Sequence, residues 1–367
     1  MAVLLGASLC ACRSNDIPEM PESKGRVMLD LNVAVADVSS ATRAFPGSED
    51  GSFENPASAY EGVNTLRVVI VHKGGDLNGI IEHNRQVAVN YQTGTIINDN
   101  LRFSVTSNED KRIYLFANEA SVDYDFSKLE PGTLFPEDEV NAIELTRKPN
   151  AAYIDNSAAS YNRGFVPMSE VFDVNVPEPE NDQLTYQTEY LFLTRSLIKF
   201  SFCFLTKPGY EQSGVKIRGV KIEGLANSGY YMPKATVYDP AKYNVSAYPL
   251  KGRYITSFST PYDPGYSNYD FPILLDQKVE IKDGLDISYS PYVYFPESKT
   301  PQGGSYKLSL LLDGPGAEFL TPEPLQITDI PRNTHVKINI TLTSTSIKPE
   351  VVLLPYTECI LEPDFGL

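Results

Sequence analysis

A strictly alternating run near the N-terminus constrains the fold of this chain most strongly. Apolar side chains fall on one face of the run, and Asp30, Asn32, Ala34 and Ala36 fall on the other; the apolar set is Val27, Leu29, Leu31, Val33 and Val35. A period of two residues is typical of a β-strand with one buried face. The run therefore predicts a strand that belongs to a hydrophobic core.

A loop that a protease could reach follows this strand. Arg43 and Ala44 precede a stretch of Pro, Gly, Ser and acidic residues at 46–50, and exposed loops of this composition are preferred sites of cleavage. A cut between Arg43 and Ala44 would separate the strand from the rest of the chain. Lys24 and Arg26 are competing basic sites, and a cut at either would keep the strand. With the cut at Arg43, the sequence predicts a core strand that processing can remove.

The first dozen residues resemble the signal of an exported lipoprotein. The apolar run at residues 2–9 is too short to span a bilayer as a helix and is typical of the hydrophobic part of a secretory signal. A small residue precedes Cys12, as in the bacterial lipobox, whereas Leu9 precedes Cys10. Cys12 is therefore the predicted lipidated residue. No basic residue stands before the run, so the true start of the signal stays open, as does an unrelated apolar N-terminus.

Composition predicts an all-β fold of more than one domain. The length of 367 residues is large for one ordinary domain. The 23 Tyr and 17 Phe are residues that strands favour, the 24 Gly and 27 Pro supply turns, and no long helical stripe is evident. The net charge of -16 argues against nucleic acid as a partner, because a phosphate backbone requires clustered Lys and Arg.

Further alternating runs and one linker divide the chain in two. Gly74 and Gly75 stand between apolar runs and predict a hairpin turn. The Pro-rich and acidic stretch at 177–182 is the best linker candidate, so the predicted domains are 44–185 and 186–346. The predicted strands are 65–71, 102–105, 112–117, 189–204, 215–222, 292–295, 306–312 and 335–342.

The C-terminal tail repeats the pattern of the N-terminal strand. Its odd positions are mostly apolar and its even positions carry acids; the inward set is Thr357, Cys359, Leu361, Phe365 and Leu367. Residues 347–367 are therefore predicted to form a donor strand that exchanges between subunits. Pairing within its own domain is the alternative, and Pro355 would interrupt the donor because it lacks an N–H group.

Motifs that carry chemistry are absent from the sequence. His72, His83 and His335 are the only histidines, and none lies in a metal-binding or catalytic cluster. No phosphate-binding, dinucleotide-binding or nucleophile-elbow motif occurs. We therefore predict a protein that is not an enzyme, with no catalytic residues, no metal and no cofactor.

Two features of the second half leave alternatives open. Cys203 and Cys359 could form a disulfide in an oxidising compartment, or they are two small buried residues. The Tyr-rich segment 229–270 could capture glycans or host proteins on its aromatic rings, although Tyr in such segments is also ordinary packing. The second feature supports an alternative function as a binding module on the surface.

Several blocks resemble the type V pilus fimbrillins, the FimA-like and Mfa-like family. Together with the lipobox and the removable strand they occur in family order over nearly the whole chain. Each block alone is short; the blocks are 111–118 (KRIYLFAN), 166–169 (VPMS), 193–200 (LTRSLIKF), 292–297 (YVYFPE) and 331–340 (PRNTHVKINI).

The resemblance implies two tandem transthyretin-like β-sandwiches and a C-terminal donor strand. It implies a signal peptide at 1–12, a propeptide at 13–43, and trimming after Arg43 by an arginine- or lysine-specific protease. The precursor would be an outer-membrane lipoprotein, and the mature form would polymerise with other pilin subunits in cell-surface fimbriae that support adhesion and biofilm. Within the pilus a stalk role is favoured over a tip or anchor role.

Overall fold

The structure is a computed structural model, and it describes the chain over a series of segments. They are residues 25–35, 62–90, 95–96, 101–146, 153–154, 165–179, 185–206, 216–226, 228–233, 237–238, 255–257, 266–272, 279–280, 287–298, 304–313, 323–327, 330, 332–342, 347–354 and 360–361.

Over these segments the chain is all-β, which confirms the predicted fold class. The described part contains one short α-helix, α1 (Glu137–Asn141), and two 3-10 turns at Glu119–Ser121 and Phe126–Lys128. No helix in the described part is long and apolar enough to cross a membrane. The strands are β1 (Arg26–Val35), β2 (Thr65–Lys73), β3 (Ile81–Asn90), β4 (Thr95–Ile96), β5 (Arg102–Thr106), β6 (Glu109–Ala117), β7 (Glu144–Thr146), β8 (Tyr153–Ile154), β9 (Met168–Val176), β10 (Thr185–Arg195), β11 (Leu197–Thr206), β12 (Lys216–Ala226), β13 (Ser228–Tyr230), β14 (Val237–Tyr238), β15 (Ile255–Ser257), β16 (Tyr266–Pro272), β17 (Val279–Glu280), β18 (Ile287–Pro296), β19 (Lys307–Asp313), β20 (Glu323–Pro324), β21 (His335–Leu342), β22 (Ile347–Leu354) and β23 (Ile360–Leu361).

The first half forms a sheet that folds over one hydrophobic core. Its strand order is β23-β1-β10-β9-β6-β2-β3-β4, with β5 also paired to β1. Side chains from β1, β5 and β10 share this core with side chains from β2, β6 and β9. Two arms of one sheet therefore face each other as a β-sandwich.

The hairpin predicted at Gly74 and Gly75 is present. Strands β2 and β3 pair antiparallel on either side of this turn, and the two glycines have φ angles of 90° and 64°. Glycine reaches positive φ without the steric cost that a Cβ imposes, so the sequence fixes the turn at this point.

The second half packs two sheets against each other. One sheet has the order β22-β21-β11-β18-β8, and the other has the order β16-β12-β19-β20 with β17 also on β12. Apolar residues from both sheets form a single cluster, among them Phe200, Ile222, Leu308 and Ile338. Strand β8 pairs antiparallel with β18 at the edge of the first of these two sheets.

The change from the first sandwich to the second occurs at Ser196. The sequence predicts one strand over 189–204, but the structure has β10 in the first sandwich and β11 in the second, with Ser196 between them. The linker candidate at 177–182 joins β9 to β10, which pair within one sandwich. A Pro-rich loop between paired strands has the same composition as a linker between domains, and this is why the sequence places the boundary at 185.

The C-terminal residues divide between both sandwiches. Strand β22 pairs antiparallel with β21 over its whole length, so residues 347–354 of the predicted donor segment lie in the sheet of their own half. Strand β23 instead pairs with β1 in the first sandwich. Both pairings lie within one molecule.

Candidate functional site

Strand β1 lies in the interior of the first sandwich, and we call it the plug strand. One of its edges pairs parallel with β10 over nine positions, from Val27 opposite Thr185 to Val35 opposite Leu193. Its other edge pairs antiparallel with β5, from Arg26 opposite Thr106 to Asp30 opposite Arg102. The groove that holds the plug strand therefore has β10 as one wall and β5 as the other.

The apolar face of the plug strand closes the core, as the alternation predicts. Val27, Leu29 and Leu31 are fully buried and Val33 is 1% exposed. Burying four such side chains contributes about 6 to 12 kcal/mol before entropy costs, at about 1.5 to 3 kcal/mol each. Apolar contact is thus the main force that retains the strand.

The opposite face of the plug strand is also covered. Asp30 and Asn32 are each only 9% exposed, and Asp30 accepts a hydrogen bond from Arg102 Nε at 3.3 Å. The Arg102 side chain is 40% exposed, so this ion pair is screened by water and contributes little. The alternation predicts one buried face, whereas in the structure Asp30 and Asn32 on the other face are nearly buried as well.

The N-terminal end of the plug strand is fixed by hydrogen bonds. The carbonyl of Gly25 accepts bonds from the backbone N and the Oγ of Ser107, both at 2.9 Å. Arg26 Nε donates to Ser104 Oγ at 2.9 Å. A Cβ on Gly25 would lie 2.5 Å from Pro179 Cγ, so the chain enters the groove where only glycine fits. Arg26, one of the competing basic sites, is part of this strand.

The β5 wall is held from its far side by side chains of β3. Glu82 Oε1 accepts a bond from Thr106 N at 2.7 Å, His83 Nε2 lies 2.7 Å from Ser104 O, and Arg85 Nη1 donates to Arg102 O at 3.1 Å. Burial lowers the pKa of His83, which favours the neutral ring as the donor to that carbonyl. These bonds involve no atom of the plug strand.

A buried ionic cluster lies behind this wall. The ammonium of Lys111 is fully buried and contacts Glu82 Oε2 at 2.5 Å, His72 Nδ1 at 3.1 Å and Glu109. His72, Glu82 and Glu109 offer a set of ligand atoms that could bind a cation. The Lys111 ammonium lies within hydrogen-bonding distance of all three, so it serves as the counter-ion of the Glu82 and Glu109 carboxylates. A lysine on the inward face of β6 is the sequence signal that would have indicated this cluster.

The structure describes only some of the predicted site residues. The backbone of Val35 lies in β1 and that of Leu361 in β23, whereas Cys203 lies in β11. The remaining predicted residues lie outside the described part of the chain; they are Cys12, Lys24, Arg43, Ala44, Thr357, Cys359, Phe365 and Leu367. Lipidation, cleavage and the Cys203–Cys359 disulfide stay predictions.

A buried polar junction between the two sandwiches is a feature that sequence reasoning missed. Arg332 is fully buried and its Nη2 donates to Glu297 Oε1 at 2.7 Å and to Tyr230 O at 2.7 Å. Tyr231 donates from its hydroxyl to the carbonyls of Ala117 and Met168, both at 3.0 Å. Glu297 and Arg332 adjoin strands of the second sandwich, whereas Ala117 and Met168 lie in strands of the first. Tyr231 contacts both groups, because its carbonyl also accepts a bond from Arg332, so the junction fastens the two sandwiches together.

Tyr231 also bears on the binding-module alternative. It lies near the start of the Tyr-rich segment 229–270, and it is fully buried. Its carbonyl accepts bonds from Ser196 Oγ at 3.0 Å and Arg332 Nη1 at 2.9 Å. This tyrosine therefore packs inside the protein and offers no platform for a sugar.

Replacing Tyr231 by phenylalanine is expected to reduce the loss of stability at alkaline pH. Burial raises the pKa of Tyr231. A group whose pKa is higher in the folded state contributes stability that is complete below about pH 10 and is lost as pH rises above it. Above pH 10 the unfolded state binds about one proton fewer than the folded state. The free energy of unfolding therefore falls by about 1.4 kcal/mol per pH unit. Urea unfolding at pH 9 to 11 measures this slope.

The matched control for this prediction is Tyr186→Phe, because the Tyr186 ring is 60% exposed. That variant should keep the wild-type slope. An equal slope in Tyr231→Phe and wild type would contradict the role of Tyr231 in the junction.

Comparison with known proteins gives similarities at low identity. No family model and no curated protein matches this chain. A candidate cell adhesion protein from Parabacteroides distasonis is 15% identical with a TM-score of 0.48, covering 92% of this chain and 98% of its own. The tip fimbrial protein Mfa3 from Porphyromonas gingivalis is 11% identical with a TM-score of 0.47, covering 90% and 99%.

A third similar structure is a fimbrial assembly protein from Parabacteroides distasonis. It is 11% identical with a TM-score of 0.43, and the match covers 90% of this chain and 98% of that one.

Proposed function

We propose that the protein is a non-enzymatic structural subunit of a cell-surface fimbrium, which polymerises by strand exchange. The observation that carries this proposal is the position of the plug strand between β10 and β5. The first described strand completes a core from the middle of a sheet, and a basic residue, Arg43, follows its last residue by eight positions in the sequence. Removing it would open a groove lined with apolar side chains.

The walls of this groove have supports of their own. Strand β10 pairs with β9 at Thr194 and Arg195, and β5 is held by Glu82, His83 and Arg85. Both supports come from residues outside the plug strand, although Arg26 at the start of that strand also contacts Glu82 and the carbonyl of Ser104. An empty groove would therefore present unpaired backbone groups on two ordered walls, which is a template for an incoming strand.

The proposed occupant is the C-terminal tail of a neighbouring subunit. Because residues 347–354 pair within their own sheet, the donor would begin after Leu354 and would use Thr357, Cys359, Leu361, Phe365 and Leu367. A head-to-tail contact of this kind does not close on itself and so produces a filament. The stalk of the fimbrium is the place that such a repeated contact fits.

The precursor in this proposal is an outer-membrane lipoprotein anchored through Cys12. An arginine- or lysine-specific protease would cut between Arg43 and Ala44, and the mature subunit would join other subunits of the fimbrium in adhesion and biofilm. The transthyretin-like topology of the two sandwiches belongs to the same proposal. Its support is the order of sequence blocks together with the position of the plug strand.

Treating the purified precursor with an arginine-specific protease is expected to produce a ladder of oligomers. Cleavage empties the groove and the tail of a second molecule enters it. Gel electrophoresis without boiling and electron microscopy measure the products. A chain that lacks residues 355–367 should be cleaved but remain monomeric, because it has a groove and no donor.

The matched control replaces a different basic residue. Arg43→Ala should remain monomeric under the protease, whereas Arg26→Ala should still form the ladder. Polymerisation of Arg43→Ala, or no effect of the 355–367 deletion, would refute the proposal.

A further inference from the structure

The C-terminal tail of this molecule pairs with its own plug strand. Ile360 lies opposite Ala34 and Leu361 lies opposite Val33, in antiparallel register. This contact joins the last described strand of the chain to the first. Strand β23, which belongs to the proposed donor, is thus paired with the strand that processing would remove.

The tail occupies a part of one edge of the plug strand that no other described strand covers. Strand β10 takes one edge along all of Val27–Val35. On the opposite edge β5 pairs with Arg26–Asp30, and Leu31 N donates to Leu101 O at 3.1 Å. Strand β23 of the tail then pairs with Val33 and Ala34. Strands β5 and β23 therefore follow each other along one edge of the plug strand.

The length of the chain allows this contact within one molecule. Only five residues separate the end of β22 at Leu354 from Ile360, and a step of that length spans at most about 20 Å. The tail therefore passes from the sheet of the second sandwich to the edge of the first in one short segment.

We infer that the plug strand holds the tail in cis, so that the precursor can neither accept a strand nor donate one. The backbone groups of Ile360 and Leu361 that a neighbour's groove would need are paired with Val33 and Ala34. Release of the plug strand removes that partner at the moment when it empties the groove. One cut would thereby activate both ends of the subunit; this consequence for assembly rests on the proposed function, whereas the contact in cis does not.

A disulfide between the paired positions tests the contact. Ala34→Cys and Ile360→Cys are introduced into the full chain with its four native cysteines replaced by serine. Directly opposed residues on antiparallel strands lie about 4.5 to 5.5 Å apart between their Cα atoms, which a disulfide can bridge. Mild oxidation should give a monomer of increased mobility on a non-reducing gel.

The control moves one cysteine along the same edge. Met28→Cys with Ile360→Cys places the thiols six residues apart along the strand, about 20 Å, and should give no crosslink within the monomer. Free thiols or only intermolecular dimers from the Ala34→Cys and Ile360→Cys pair would overturn the inference.

The same crosslinked protein tests the consequence for assembly. After treatment with the arginine-specific protease, the oxidised sample should stay monomeric and should polymerise once the disulfide is reduced. Polymerisation of the oxidised sample to the same extent would overturn the claim that the held tail is the donor. If the reduced sample also stays monomeric, the proposed function fails, and the contact in cis is then judged by the crosslink alone.

Discussion

Replacing Arg332 by methionine is expected to lower the free energy of unfolding by about 3 to 5 kcal/mol. The guanidinium is fully buried and neutralises Glu297, whose side chain is 5% exposed. It also satisfies the carbonyls of Tyr230 and Tyr231. Methionine fills similar space but leaves the carboxylate of Glu297 buried without its cation. Urea unfolding at neutral pH measures the loss.

A double variant separates the unpaired charge from the lost packing. Arg332→Met with Glu297→Met removes both charges, so it should be less destabilised than Arg332→Met alone. Lys128→Met is the control, because the Lys128 side chain is 80% exposed and its ion pair is worth about 1 kcal/mol or less. A loss below about 1 kcal/mol for Arg332→Met would contradict the role of the junction.

Replacing Leu31 by alanine is expected to destabilise the precursor by about 2 to 5 kcal/mol, because the side chain is fully buried in the first core. The filament formed after cleavage should be unaffected, since residues 1–43 would no longer be present. Thermal unfolding of the uncut precursor and dissociation of the assembled filament in urea measure the two effects. Only a strand that leaves the protein gives this difference.

Leu115→Ala is the matched control for this prediction. Leu115 is fully buried in the same core, and it lies on β6, outside the propeptide. It should weaken the precursor and the filament alike. A filament that is weakened by Leu31→Ala as much as by Leu115→Ala would show that the plug strand remains in the assembled subunit.

The strands and the plug face could be predicted because each depends on a local pattern. Val27, Leu29, Leu31 and Val33 alternate with period two, and a strand with one apolar face must bury it. The turn at Gly74–Gly75 likewise follows from the backbone that glycine permits. Local rules of this kind act within one strand or one turn, so they are visible in sequence.

The partners of these elements could not be predicted in the same way. The run 189–204 reads as one strand, yet Ser196 divides it between two sandwiches because β10 and β11 pair with strands far away in sequence. The Arg332–Glu297 pair joins residues 35 positions apart, and nothing in their local pattern indicates the contact. The coverage of both edges of the plug strand is likewise a property of the folded sheet.

The N-terminal sequence of the subunit in filaments sheared from the cell surface is the most direct test of removal of the plug strand. A start at Ala44 is expected, because the plug strand must leave before a donor can enter its groove. A chain in filaments that still contains residues 27–35, whether it begins at Cys12 or after Lys24 or Arg26, would contradict it.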